Sequence, residues 1–252
     1  MELITLGTGT VAPSAARTGP AHWVTTGDVR ILLDCGPGAS HRAESFNVPW
    51  ATVTHIAITH FHPDHWSELP LFLYALRWGT LPARTDPLTL FGPTGITERL
   101  AHLAKAYGDW VLNPGFPLEI QEVEPGDTFE LAEGILLQAC KTRHTDESLA
   151  YGIRDRSHRL VFTGDTGHSD ELAQWAHGCD LLLMECSLPD DQGIEIHMTP
   201  GLAAEFARMA EVDQVVLTHF YPSVINENLV DIVSASFSGP VTVARDGERF
   251  TL

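Results

Sequence analysis

Ile58-Thr59-His60-Phe61-His62-Pro63-Asp64-His65-Trp66 sets three imidazoles and a carboxylate within six residues. The run before it, Val53 to Thr59, is β-branched and apolar and predicts a buried strand. Pro63 forbids strand continuation and biases His62 towards extended backbone. From Asp64 onward, Leu69, Phe72, Leu73 and Leu76 recur at helical spacing. The ligand-type residues His60, His62, Asp64 and His65 therefore fall on a strand-to-helix loop, with the last two entering the first helical turn. Alternation points His60 and His62 the same way, while Asp64 and His65 diverge around the turn. Such a geometry serves two neighbouring metal ions better than one. Imidazole and carboxylate suit zinc, manganese or iron more than calcium or magnesium. A lone His-x-His would carry little weight, because histidines beside surface carboxylates are common. Four such residues after a buried strand carry much more.

The 252 residues suffice for a sizeable core, expected as a single domain over 1–252. The net charge of −18 repels polyanions, so a nucleic-acid substrate would need a strong local basic patch. None is visible: Lys105 and Lys141 are the only lysines, and the arginines are scattered. A small-molecule substrate fits the charge better. Cys35, Cys140, Cys179 and Cys186 form no Cys-x-x-Cys pair and read as reduced, mostly buried residues of a cytoplasmic protein. Met1-Glu2-Leu-Ile-Thr lacks the basic start and long apolar run of a signal peptide, and no apolar run approaches membrane-spanning length.

Outward from the central stretch, short apolar runs stop at polar residues. Leu3 to Leu6 predicts a strand ending in the turn Gly7-Thr8-Gly9-Thr10, which lacks the spacing of a phosphate loop and is better read as a tight turn beside the site. Trp23 to Thr26 and Val29 to Leu33 predict a hairpin, the second strand ending at Asp34, which reads either as a turn-maker or, beside a metal cluster, as a partner orienting a ligand histidine. Further strands are expected at Leu88 to Phe91, Leu118 to Val123, Thr128 to Leu131, Ile135 to Ala139, Tyr151 to Ile153, Leu160 to Phe162, Leu181 to Met184 and Val215 to Thr218, with two more closing the chain. Helices are expected at Gly95 to Ala106, after the cap Thr199-Pro200, and near Leu229 to Ser236. Asp34, His60, His144, Asp165, Glu185 and His219 each stand where an apolar strand stops. One such residue is a strand terminator; six presented to one rim are a constellation.

His60-Phe-His62-Pro-Asp64-His65, followed in order by His144, Asp165 and His219 and preceded by Asp34, resembles the metallo-β-lactamase superfamily over essentially the whole chain. The resemblance implies an α/β (α+β) fold, a four-layer αββα sandwich, with a dinuclear metal centre. One metal would take His60, His62 and His144, the other Asp64, His65 and His219, with Asp165 bridging and Asp34 orienting a ligand histidine from behind. The metals expected are two divalent ions, zinc first, manganese or iron otherwise. Leu6-Gly-Thr-Gly9 and Leu217-Thr-His-Phe220 are most similar to the ribonuclease Z branch. Met184-Glu185-Cys-Ser and His197-Met-Thr199 resemble further motifs of that branch, which implies catalytic roles for Glu185 and His197 beside Asp64. For Glu185 a capped strand end, and for His197 a residue preceding a helix cap, are equally weighted readings.

One departure bears on function. Ribonuclease Z carries a long tRNA-gripping arm between the ligands matching His144 and Asp165, whereas Thr145 to Gly164 here holds two strands and a turn. With the acidic charge, this argues against tRNA processing. Arm-less relatives include phosphodiesterases acting on small or cyclic phosphates and an arylsulfatase. The expected activity is a metal-dependent phosphodiesterase working through a hydroxide bridging the metals, with Asp64 accepting a proton and His197 protonating the leaving alkoxide. The alternatives are a carboxyl-ester, lactone or aryl-sulfate hydrolase and, less favoured, a tRNA 3′-endonuclease. Trp66 and Tyr221 adjoin ligands and are candidates either for pocket lining or for packing. His168 is expected at the surface. The relatives suggest a homodimer.

Overall fold

The computed structural model describes residues 1–225 and 227–252. The first half of the chain supplies β1 (Glu2–Gly7), β2 (Ala21–Thr26), β3 (Val29–Leu33), α1 (Ala39–Ser45), β4 (His55–Ala57), α2 (Pro63–Trp66), α3 (Leu69–Trp78), β5 (Leu88–Pro93), α4 (Ile96–Tyr107) and β6 (Leu118–Val123). The second half supplies β7 (Thr128–Ala132), β8 (Ile135–Lys141), β9 (Leu149–Arg154), β10 (Arg159–Phe162), α5 (Asp170–Ala176), β11 (Leu181–Glu185), α6 (Pro200–Ala210), β12 (Gln214–Thr218), α7 (Leu229–Ser234), β13 (Val241–Val243) and β14 (Glu248–Thr251). Two seven-stranded sheets result, in the orders β14-β1-β2-β3-β4-β5-β6 and β13-β12-β11-β10-β9-β8-β7.

Inner strands such as β3 and β11 are apolar on both faces, which is what a sheet covered on both sides requires. In β3, Ile31 and Leu33 join the cluster between the sheets, while Leu32 joins the one beneath α1, α3 and α4. In β11, Leu181 and Leu183 face the other sheet, whereas Leu182 and Met184 pack towards α5, α6 and α7. The layers are helix, sheet, sheet, helix, as expected. On α3, Leu69, Phe72, Leu73 and Leu76 are fully buried. Each such side chain contributes roughly 1.5–3 kcal/mol relative to exposure.

Two local departures have physical causes. The strand expected over Val53 to Thr59 shortens to β4, because the Thr59 amide donates to the Asp34 carboxylate rather than to the ladder. The helix expected from Asp64 onward breaks into α2 and α3, because Pro70 has no N–H for the Trp66 carbonyl and its ring crowds that oxygen. The closing strands also part company: β13 extends the second sheet, while β14 returns to pair antiparallel with β1.

β3, β4 and β5 run parallel, as do β10, β11 and β12, and their carboxyl ends meet at one rim. Sheet-to-sheet bonds fix that meeting: Tyr151 Oη donates to the Ile58 carbonyl (3.0 Å) and the Leu149 amide to the Thr59 carbonyl (3.0 Å). The interval between His144 and Asp165 holds β9, a tight turn closed by the Asp155 amide on the His158 carbonyl, and β10. No arm protrudes from it. Among the described residues, no helix is long and apolar enough to cross a membrane.

Candidate metal centre

His60, His62, His144 and Asp165 bring ligand atoms within 4.8 Å of one another, and so do Asp64, His65 and His219. All seven sequence-predicted metal ligands thus lie in two adjoining groups at the rim. Asp165 stands between them, its Oδ2 3.8 Å from His60 Nε2 and 3.7 Å from His144 Nε2, its Oδ1 3.2 Å from His65 Nε2 and 3.3 Å from His219 Nε2.

The turn carrying His62 to His65 is held by the loop that follows β3. The Cys35 amide donates to the His65 carbonyl (2.7 Å), the Glu68 amide to the Cys35 carbonyl (3.1 Å), and the Ser40 amide to the Glu68 carboxylate (2.8 Å). Gly36 is needed here: a Cβ would overlap the Asp64 carbonyl oxygen. Asp34 and His219, each just past its strand, adopt left-handed backbone with φ of 57° and 58°. That conformation is uncommon outside glycine and is concentrated at sites whose surroundings over-determine it.

The hydrogen-bond partners assign the histidine tautomers. Asp34 Oδ2 accepts from His65 Nδ1 (2.7 Å) and from the Thr59 hydroxyl (2.9 Å). Having given its proton to Asp34, Thr59 Oγ1 accepts from His60 Nδ1 (3.0 Å). The Ser187 hydroxyl donates to Glu185 and accepts from His219 Nδ1 (2.9 Å). His144 Nδ1 donates to the Ile196 carbonyl (3.1 Å). Four imidazoles are therefore held by Nδ1 on their outer side and turn Nε2 inward. The consequences are visible: His60 Nε2 and Asp165 Oδ1 are buried without a hydrogen-bond partner. His65 Nε2 faces His219 Nε2 at 3.3 Å, and His144 Nε2 faces His62 Nδ1 at 3.0 Å. Imidazole nitrogens and carboxylate oxygens converging this closely fit cations, and the N/O donor set suits zinc or a neighbouring transition metal.

The electrostatics follow the same plan. Burial opposes ionisation of Asp165, but the imidazoles of His219, His65 and His60 outweigh it and hold its carboxyl well below the usual range. Burial likewise opposes charge on His65, and Asp165 and Asp34 outweigh it, raising its pKa well above the ordinary value. His60 goes the other way, depressed by burial and then by the charge of His65. Burial raises the Asp34 carboxyl despite its donors.

Glu185 is fully buried and uses both oxygens: Oε1 accepts from the Thr166 amide (2.6 Å) and His197 Nδ1 (2.9 Å), Oε2 from Ser187 and the Met198 amide (3.2 Å). With no oxygen left over, Glu185 orients His197 and, through Ser187, His219. His197 brings a nitrogen within 4.8 Å of ligand atoms of Asp165 and His219, and its ring stacks 5.8 Å from that of His219. Burial lowers the His197 pKa but Glu185 more than restores it. Tyr221 lies half-buried with its ring 6.2 Å from those of His197 and His219, so it lines the site. Trp66 packs on Phe61 instead. His168 is half-buried in the wall of a cavity of 730 Å³ that His144 shares; a second cavity, of 350 Å³, includes Asp64.

Thr59, Ser187 and the Ile196 carbonyl carry no signal in the sequence beyond proximity to a ligand or motif. The Gly7–Thr10 turn is no phosphate cradle, because Asp246 already takes the Thr8 amide (3.0 Å) and hydroxyl (2.7 Å).

The sequence profile described as Beta-lactamase superfamily domain matches residues 29–220. A ribonuclease Z of Mycobacterium bovis is 29% identical over 273 aligned positions, covering 99% of this chain and 97% of the relative. A ribonuclease Z of Haloferax volcanii is 26% identical over 309 positions, covering 99% and 94%. In fold, the chain is similar to the metallo-beta-lactamase fold protein YhfI from Bacillus subtilis (TM-score 0.85, 24% identity, 99% and 98% covered) and to human tRNase Z, short form (0.81, 24%, 100% and 99%).

Proposed function

The chain belongs to the beta-lactamase superfamily, and from that premise we propose that this metallo-β-lactamase-fold hydrolase is a phosphodiesterase acting on a small phosphodiester, linear or cyclic. The observation that carries the proposal is the convergence of inward-turned imidazole nitrogens and carboxylate oxygens on two adjoining positions that share Asp165. His60, His62 and His144 would hold one divalent ion, Asp64, His65 and His219 the other, and Asp165 both. When bound, a pair of such ions (zinc first, manganese or iron otherwise) supplies an acidic water as nucleophile and positive charge for the phosphoryl oxygens.

The chain's own residues do the rest. Asp34, through Thr59 and His65, and Glu185, through Ser187, keep the ligand imidazoles in the one tautomer that leaves Nε2 free. Asp64 accepts the proton of the attacking water. His197, its Nδ1 proton held by Glu185 and its proton affinity raised by that carboxylate, gives the Nε2 proton to the departing alkoxide. Glu185 thereby acts by positioning His197.

The small substrate is supported by the acidic balance and by the short β9–β10 hairpin. The alignments with the ribonuclease Z relatives run to 273 and 309 positions against 252 residues here, so those relatives carry segments this chain lacks. The test is metal content per chain together with hydrolysis of bis-p-nitrophenyl phosphate. Two metals and diester turnover abolished by Asp165→Ala support the reading. Two metals without diester turnover shift it to carboxyl esters, lactones or aryl sulfates, and one metal or none overturns the dinuclear assignment.

A further inference from the structure

We infer that Ile194–His197 is a strap that positions His144, and that Gly167 is the residue on which it seats. The inference rests on reading His144 as a metal ligand. Unlike the other three outward-held imidazoles, His144 has its Nδ1 proton on a backbone carbonyl, that of Ile196, 52 residues away in sequence. Every residue from Asp190 to Ile196 is exposed, and Ile194 and Ile196 leave half and more than a third of their surface in solvent. No core packing therefore presses the Ile196 carbonyl onto the imidazole.

What holds it is the bed beneath. Asp165, Thr166 and Gly167 are all buried. The Gly167 amide donates to the Arg143 carbonyl (2.9 Å) and the Arg143 amide to Thr166 Oγ1 (3.1 Å), locking the residue before His144 to this bed. The strap lies directly on Gly167: a Cβ there would overlap the Glu195 carbonyl oxygen and crowd the Ile196 Cα at 3.3 Å. At the outer side Arg143 clasps Glu195 (3.1 Å), and at its carboxyl end His197 is tied to Glu185 (2.9 Å). The strap thus joins two residues of the proposed chemistry, His144 and His197. Any side chain at position 167 forces one partner to move, and the exposed strap yields before the buried bed. Because His197 has its own anchor, the loss falls on the His144 bond. Without that acceptor, nothing keeps the His144 proton on Nδ1, and a proton on Nε2 occupies the lone pair that would bind metal.

The experiment uses the full chain with two readouts that need no substrate. In metal-free protein, two-bond ¹H–¹⁵N spectra of the histidine rings report which nitrogen of His144 carries the proton; zinc affinity is measured by competition with a chromophoric chelator. The parent is expected to show His144 as the Nδ1–H tautomer. Gly167→Ala is expected to show a mixture or Nε2–H, with zinc binding weakened about ten- to hundredfold. Arg143→Ala combined with Glu195→Ala, two exposed changes that leave the core untouched, is expected to shift the tautomer partially and zinc affinity by about threefold or less. It also covers the case in which Gly167→Ala does not fold. An unchanged Nδ1–H tautomer in these variants, with zinc affinity within about twofold of the parent, overturns the strap. A parent that binds no zinc ends the metal reading separately, while the tautomer spectrum still decides the strap.

Discussion

Asp34→Asn tests how the imidazoles of the proposed metal centre are set. Asp34 is fully buried and accepts three hydrogen bonds: from the Thr59 amide on Oδ1 (2.7 Å), and from Thr59 Oγ1 (2.9 Å) and His65 Nδ1 (2.7 Å) on Oδ2. Asparagine has nearly the same shape and tolerates the left-handed backbone at this position. Its oxygen must stay on the Thr59 amide, because the flipped side chain would set donor against donor. The NH₂ group then faces His65 Nδ1, and the conflict is relieved by taking the proton off Nδ1 and keeping one on Nε2, where Asp165 Oδ1 lies at 3.2 Å. The metal-free protein thereby recovers most of the lost bond, and its stability is predicted to fall by only about 1 kcal/mol. Metal binding recovers nothing, since Nε2 must be stripped again against the lost charge-assisted bond. A bond of that kind contributes about 1.5–3 kcal/mol, so affinity for the second metal should fall roughly ten- to hundredfold. The assay is zinc titration against a chelator, paired with urea unfolding of the metal-free protein. Second-site affinity within about threefold of the parent, with His65 still protonated on Nδ1, would refute the reasoning.

Three other predictions are independent of this one. His22 is fully buried against Phe162, neither ring nitrogen has a hydrogen-bond partner, and burial pushes its pKa down to about 3. The folded state resists protonation that the unfolded chain accepts from about pH 6.5 downward, so His22 destabilises the fold progressively between about pH 6.5 and 3, by roughly 1.4 kcal/mol per pH unit. Metal-free His22→Leu should show a flatter loss of urea stability between pH 7 and 5 than the parent; identical pH slopes would count against it. His197→Ala should lower kcat by about 10²–10⁴-fold for diesters with alkoxide leaving groups and much less for p-nitrophenolate, which needs no proton. Equal losses for both would remove His197 as the acid. Precursor tRNA should remain uncut by enzyme that turns over small diesters, and efficient 3′ cleavage would restore the endonuclease reading.

The sequence by itself determined where each ligand-type residue would fall. His60, Asp165, Glu185 and His219 follow apolar runs, and a strand's carboxyl end is a fixed place once the run is recognised. Pro63 and the helical spacing of Leu69 to Leu76 likewise fixed the strand-to-helix loop, although Pro70 divides into α2 and α3 what the spacing predicts as one helix. α1 and α5 leave little periodic signal because their buried faces are mostly alanine, Ala39 and Ala43 in one and Leu172, Ala173 and Ala176 in the other. Motif likeness grouped the ligands, but only the tertiary structure decided what holds them. Asp34 reaches Thr59 and His65 across 25 and 31 residues, Ser187 reaches His219 across 32, and the Ile196 carbonyl reaches His144 across 52. Those bonds form only when loops after different strands are brought to one rim, and a carbonyl acceptor leaves no mark on residue identity at all. The physical reason is one of range: local pattern encodes which way a side chain leaves its own strand, whereas the proton position on an imidazole is set by whatever the fold places on its far side.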